Sequence, residues 1–144
     1  MEVPSLIRPV ATLVGWTFFM EAWMYKTRLP ALKGVRLPPN TTKQSMNAHI
    51  PSEVQWKADN YNHLHEAPTR FYAIALSLSI LEVASSSGTD LDLENKLAWG
   101  YVGVRVAHSL VQAVTNVIPI RFGLYILSEV TALGLFGRLV YALV

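Results

Sequence analysis

Charged side chains interrupt stretches of this sequence that are otherwise apolar enough to lie in a membrane. Arg105 and His108 fall within residues 98–117, and Arg121 begins an apolar run that continues to Val144. A lone cation at the centre of a membrane helix costs roughly 2.5 to 3.5 kcal/mol on insertion scales, so such residues usually face a protein interior or a polar cavity. These residues therefore predict a helical membrane protein with an internal functional site.

The composition supports a membrane location and excludes several classes of function. Of the 144 residues, 51% are hydrophobic and 15% are charged, whereas a soluble domain carries about 25% charged residues. A net charge of +2 without a basic amphipathic surface argues against a nucleic-acid partner. The sequence contains no cysteine, which excludes a disulfide, a cysteine metal site and a protein thiol nucleophile. Any thiol chemistry must use a thiol that a ligand brings.

Four segments are candidates for membrane helices, because about 20 mostly apolar residues cross the hydrocarbon layer. They cover about 7–25, 62–84, 97–116 and 122–144, and a polar segment of about 26–61 joins the first two. We therefore expect residues 1–144 to form a single all-α domain. Its expected architecture is an integral membrane four-helix bundle with up-down topology.

The distribution of charge predicts the orientation of the bundle in the membrane. Basic residues are concentrated in the first connection, and acidic residues dominate the second, at 85–96. Because positive residues favour the cytoplasmic side, we expect the first and third connections to be cytoplasmic. Both termini are then expected on the non-cytoplasmic side. The third connection, near 117–119, is expected to be a tight turn.

Three polar stripes run along the second, third and fourth predicted helices, because their members are three or four residues apart and share a helix face. The stripes are His63, Glu66 and Arg70; Tyr101, Arg105, His108 and Gln112; and Arg121, Tyr125 and Glu129. They either converge on a ligand site or hold the bundle together by buried polar contacts. Counted from the turn, Glu129 and Arg105 are equally deep, so we expect Glu129 to neutralise Arg105 and leave Arg121 for a ligand anion.

Three motifs in consecutive order resemble the MAPEG superfamily, the membrane-associated proteins in eicosanoid and glutathione metabolism. They are NHLHEAP at 62–68 with Phe71, RVAH at 105–108, and Pro119-Ile120-Arg121 with Tyr125. The superfamily includes microsomal glutathione transferases and microsomal prostaglandin E synthase. The resemblance, which covers about 60–138, implies a four-helix subunit, a homotrimer and glutathione bound between neighbouring subunits toward the cytoplasm. Differences from the family pattern are compatible with a bacterial-type branch.

The resemblance also implies roles for individual residues. Arg121 would stabilise the glutathione thiolate, and Tyr125 would assist it, which makes these two the expected catalytic residues. The expected binding residues, which include two positions where the family often has another residue type, are His63, Glu66, Arg105, His108 and Gln112. No metal is expected, since the histidines offer no ligand pair with good helical spacing.

Elementary electrostatics supports this role for Arg121. A thiol has a pKa near 8.5, and only the thiolate is a useful nucleophile. Ionising it at neutral pH requires a shift of about two units, or roughly 2.7 kcal/mol. One guanidinium about 4 Å away supplies on the order of 4 kcal/mol at an effective dielectric constant near 20. A protein general base is therefore not required.

The sequence favours a glutathione-dependent membrane enzyme that acts on a lipophilic electrophile or a lipid hydroperoxide. A second hypothesis is a non-catalytic MAPEG-like subunit with a structural or lipid-binding role, which the departures at His63, Gln112 and Phe122 support. A third, a small transporter or proton-relay protein, is disfavoured because the sequence has no internal repeat and no signal of broken helices.

Overall fold

The structure is a computed structural model that describes residues 3–36, 38–84 and 91–144. The helices in these ranges are α1 (Ile7–Leu32), α2 (Lys43–Asn47), α3 (Ser52–Glu66), α4 (Thr69–Ala84), α5 (Asp92–Val114) and α6 (Ile118–Leu143). The expected all-α class is confirmed. Within the described ranges, α6 is the one helix that is long and apolar enough to cross a membrane by length and composition.

The helices extend further into polar sequence than hydropathy suggests. The segment 26–61 was expected to be a connection, but α1 continues through it to Leu32, and α3 begins at Ser52. Hydropathy identifies only the apolar part of a helix. The backbone hydrogen bonds of a helix can continue into polar sequence, because they do not depend on apolar side chains. The helix expected at 62–84 is divided at Pro68 into α3 and α4, because proline has no N–H and its ring clashes with the preceding turn.

A short turn reverses the chain between α5 and α6, as expected from the sequence. Asn116 adopts a left-handed backbone conformation with φ of 54°, which asparagine tolerates better than most residues. Its N–H donates to the carbonyl of Val111 at 2.7 Å. Pro119 lies in the first turn of α6, where a missing N–H costs nothing. The turn places the beginning of α6 beside the last turns of α5.

An apolar core occupies one part of the molecule, where α1, α4, α5 and α6 meet. Phe71 and Tyr101 stack in it with ring centroids 4.3 Å apart and an interplanar angle of 11°. Leu13 and Leu135 are fully buried in the same cluster. A smaller cluster of Met20, Leu64 and Ala113 lies elsewhere, where α1, α3 and α5 meet.

A layer of buried polar side chains lies along α5 where α3 and α6 pack against it. Its members are Asn60, Arg105, His108, Ser109, Gln112 and Ser128. They come from α3, α5 and α6, so all three helices must pack correctly to form the layer. The fold thereby brings polar groups together that are far apart in sequence.

Two leucines on α6 provide a test of this packing. Leu135 is 0% exposed and Leu127 is 51% exposed. We expect Leu135→Ala to lower the free energy of unfolding by about 2–5 kcal/mol, because it leaves a cavity in the core. Leu127→Ala should change it by no more than about 0.5 kcal/mol. Reversible unfolding in mixed micelles, followed by circular dichroism, measures both, and equal losses would contradict the assigned core.

Candidate functional site

The centre of the polar layer is Arg105, which is 0% exposed. Its Nη1 lies 3.5 Å from Ser128 Oγ on α6, and its Nη2 lies 3.5 Å from the carbonyl oxygen of His63 on α3. Both contacts are long for hydrogen bonds. Its Nε has no hydrogen-bond partner, and no carboxylate of a described residue forms an ion pair with it. A buried guanidinium in this state lacks a counter-charge, so the position favours an anion.

Two imidazole rings and a phenol lie close to Arg105 and join the same three helices. The His63 and His108 rings stack with centroids 4.9 Å apart and an interplanar angle of 27°. The Tyr125 ring lies 5.7 Å from the His63 ring. The Nε2 atom of His63 is buried and has no hydrogen-bond partner among the described residues. These rings form a polar wall that has unused hydrogen-bonding capacity.

Arg121 approaches the same region from the beginning of α6. It lies close enough to His63 and His108 for its charge to act on both rings. Its Nη1 donates a hydrogen bond to Asn116 Oδ1 in the preceding turn. Its Nε is buried and, in the part of the chain that the structure describes, has no partner. Because the amide of Asn116 is neutral, the contact orients Arg121 without neutralising its charge.

The expected neutralisation of Arg105 by Glu129 is wrong. Glu129 Oε2 accepts instead from Arg70 Nη2 at 2.6 Å, across the space between α6 and α4. The Glu129 charge still acts on Arg105, but the Arg105 guanidinium is directed to Ser128 and His63. Depth along the membrane normal could not distinguish Arg70 from Arg105, because both positions are compatible with Glu129. The described residues therefore leave both Arg105 and Arg121 without an ion pair.

The remaining predicted site residues differ in burial and in their contacts. Gln112 is buried in the polar layer, and its Oε1 has no hydrogen-bond partner among the residues described. Tyr125 is half-buried beside His63. Glu66, in contrast, is exposed at the end of α3, and no contact joins it to the cationic residues in the described chain. The structure thus brings together His63, Arg105, His108, Arg121 and Tyr125.

Sequence reasoning missed several polar members of the site. Asn60 Nδ2 donates to Ser109 Oγ at 2.6 Å, and both residues are buried. Asn60 lies in the segment expected to be a loop, although its position three residues before His63 offered a helical signal. Ser128 and Asn116 were overlooked because a serine or an asparagine carries no charge. Their contacts with the two arginines depend on how the helices pack.

An apolar cleft of about 590 Å³ lies between α4 and α6, and Arg105 and Arg121 are not among its lining residues. Arg70 and Glu129 lie among its lining residues, and the other walls are apolar, including Ile126, Val130 and Leu133. Glu129 directly follows Ser128, the residue that contacts Arg105. The charge of Glu129, which lines the cleft, also acts on Arg105.

Comparison with known proteins gives a family for the chain. The model of the MAPEG family matches residues 6–141. No curated protein and no solved structure matches the chain at a significant level.

A double-mutant cycle tests the pairing of Glu129. We expect Glu129→Gln and Arg70→Gln to show a coupling energy on the order of 1 kcal/mol or less, because the Arg70 side chain is 64% exposed. The same cycle with Arg138→Gln should give no measurable coupling, since Arg138 pairs with Glu94. Unfolding in mixed micelles supplies the free energies. A coupling to Arg138 as large as that to Arg70 would contradict the pairing.

Proposed function

The chain belongs to the MAPEG family, and on that premise we propose that it is a glutathione-dependent membrane enzyme. It would activate the thiol of glutathione toward a lipophilic electrophile or a lipid hydroperoxide. The family includes glutathione transferases and related membrane proteins. One observation carries the proposal. The charges of Arg105 and Arg121 both act on the rings of His63 and His108, and neither arginine forms an ion pair in the described chain.

The unpartnered polar atoms fit the groups of glutathione, which carries carboxylates, amides, an ammonium and a thiol. The Nε atoms of Arg105 and Arg121 are donors that suit a carboxylate or a thiolate. Gln112 Oε1 is an acceptor that suits an amide N–H or the ammonium. The residues that would hold the tripeptide are His63, Arg105, His108, Gln112 and, from its exposed position, Glu66. Buried polar atoms are rarely left without a partner, which supports a polar ligand here.

Glutathione, when bound, supplies a thiol as the nucleophile. The guanidinium of Arg121 stabilises negative charge and so favours the ionised form of a thiol near it. Tyr125 can donate a hydrogen bond from its hydroxyl to the same anion. Asn116 keeps the Arg121 side chain oriented, which lowers the entropy lost when an anion binds.

The cleft between α4 and α6 suits the second substrate. Its walls are almost entirely apolar, and its volume of about 590 Å³ is within the range of about 300–1,000 Å³ that is common for ligand sites. The substrate class is therefore a lipophilic small molecule that enters from the bilayer. Arg70 and Glu129 would meet the more polar part of such a molecule.

We further propose that the protein is a multi-pass membrane protein and a homotrimer. The helix α6 has 26 residues and thus a length of about 39 Å, enough to span the hydrocarbon layer. Large apolar side chains that do not line the cleft are exposed along it, among them Ile118, Phe122, Tyr141 and Leu143, as expected for contact with lipid or a neighbouring subunit. The four-helix bundle with both termini on the non-cytoplasmic side remains part of this proposal.

Titration of the purified protein with glutathione tests the function. We expect a saturable ultraviolet thiolate band at neutral pH, and we expect Arg121→Ala to abolish it because the stabilising cation is lost. The matched control is Arg8→Ala, which removes an exposed arginine at the opposite end of the chain and should leave the band intact. Saturable binding without a thiolate band would favour a non-catalytic MAPEG protein, and no binding at millimolar glutathione would refute the proposal.

Two substitutions at Asn116 test whether its neutral side chain leaves the charge of Arg121 available to the thiolate. Asn116→Asp places a carboxylate beside the guanidinium, so it should raise the pKa of the bound thiol by about one unit or more. Asn116→Gly removes the side chain but suits the positive φ, and it should retain the thiolate band. The pH dependence of the band measures both variants. If they behave alike, the contact with Asn116 does not govern the charge of Arg121.

A further inference from the structure

A second cavity lies between α1 and the α3–α4 region and shares no residue with the cationic site. Its volume is about 310 Å³. The lining residues are Val14, Thr17, Phe18, Glu21, Leu64, His65, Thr69 and Tyr72. Most of the walls are apolar, and Glu21 is the one carboxylate among these lining residues. We propose that this cavity binds a small lipophilic amine, with the ammonium group held by Glu21.

The carboxylate of Glu21 lacks a counter-charge. It is half-buried within the long helix α1, and among the described residues no basic group forms an ion pair with it. Its carboxylate interacts with the phenol of Tyr61, which forms a side-chain hydrogen bond with it but carries no positive charge in any protonation state. An ionised carboxylate in an apolar helix is costly unless it is paired. A cationic group on a ligand would supply the counter-charge that Glu21 lacks.

The groups around Glu21 suit an ammonium ion in particular. His65 Nδ1 lies 2.9 Å from the carbonyl oxygen of Tyr61, and a carbonyl only accepts, so Nδ1 carries the hydrogen. In the neutral ring, Nε2 is then an acceptor for an N–H group. Aromatic faces at Phe18 and Tyr72 add a favourable environment for an organic cation. A hydrated metal ion would find few oxygen ligands in such walls.

The order of the lining residues along α1 matches the orientation of an amphiphile in a bilayer. Glu21 lies five residues before Lys26, about 7.5 Å along the axis, and Lys26 begins the basic segment expected at the cytoplasmic surface. Val14 lies seven residues before Glu21, about 10 Å deeper. The polar end of the cavity therefore faces the membrane surface, and the apolar end faces the bilayer centre. A single-chain amine in the bilayer already has its ammonium group at the surface and its chain toward the centre, so it can enter the cavity in the same orientation.

The size of the cavity restricts the class of amine. About 310 Å³ is at the lower end of the range for ligand sites, which is about 300–1,000 Å³. A two-chain phospholipid is too large, whereas a short single-chain amine fits. The ligand class is thus a primary amine with one alkyl chain or a comparable apolar group.

Quenching of tryptophan fluorescence by 10-bromodecylamine tests the proposal. With the ammonium at Glu21, the bromine lies at the apolar end near Val14, two residues along α1 from Trp16, so Trp16 is the expected reporter and Trp23, about 13.5 Å from Val14 along the axis, is quenched less. With the purified protein in phosphatidylcholine nanodiscs, we expect a saturable quenching component. It should be absent with 10-bromodecanol and 10-bromodecanoate, which enter the bilayer but carry no positive charge. Equal quenching by the amine and the alcohol would overturn the proposal.

Substitutions identify the residues responsible. Glu21→Gln should raise the half-saturating amine concentration at least tenfold, whereas Glu53→Gln, an exposed glutamate on α3, should not change it. Phe18→Ala should weaken binding of the amine, and the alcohol should still show no saturable quenching. An unchanged response in Glu21→Gln would overturn the assignment. The glutathione thiolate band should persist in Glu21→Gln, which separates failure of this proposal from failure of the glutathione site.

Discussion

The arrangement of the site depends on one feature: the Arg105 guanidinium is buried, and among the described residues no carboxylate forms an ion pair with it. Its two contacts, with Ser128 Oγ and the carbonyl of His63, are both 3.5 Å long. Such contacts orient the group but compensate little of the free energy that is lost when a cation leaves water. Arg121 adds a second positive charge nearby, held by a neutral amide. Together they favour an anion at the junction of α3, α5 and α6.

Local backbone features put these groups in place. Pro68 ends α3 and allows α4 to begin at Thr69, so that His63 on α3 and Arg70 on α4 lie on separate helices. The left-handed conformation of Asn116 then sets the turn into α6, and the same residue binds Arg121. A turn residue thus has two roles: it directs the helix, and it orients the cation that the helix carries.

The sequence predicted the helical class and placed Arg105, His108, Arg121 and Tyr125 on helix faces that converge, because the cost of a charge in an apolar segment is a property of composition and spacing; Glu66, predicted with them, is exposed instead. The spacing of Arg105 and His108 on one helix face was sufficient to place them together. It was not sufficient to identify the partner of Glu129, since Arg70 and Arg105 are both within reach of that position before packing is known. Asn60 was missed for a related reason: polar residues continue a helix beyond the point where hydropathy ends it.

The arrangement of α3 explains how unpaired charges of opposite sign coexist in one small chain. His63 faces the cationic layer, where its ring stacks on His108, whereas His65 lines the cavity that contains Glu21. Residues two apart on a helix point to different faces, so α3 separates the two regions. Without this separation Glu21 could form an ion pair with one of the arginines. The helix keeps them apart, and in the part of the chain that the structure describes Glu21, Arg105 and Arg121 form no ion pair.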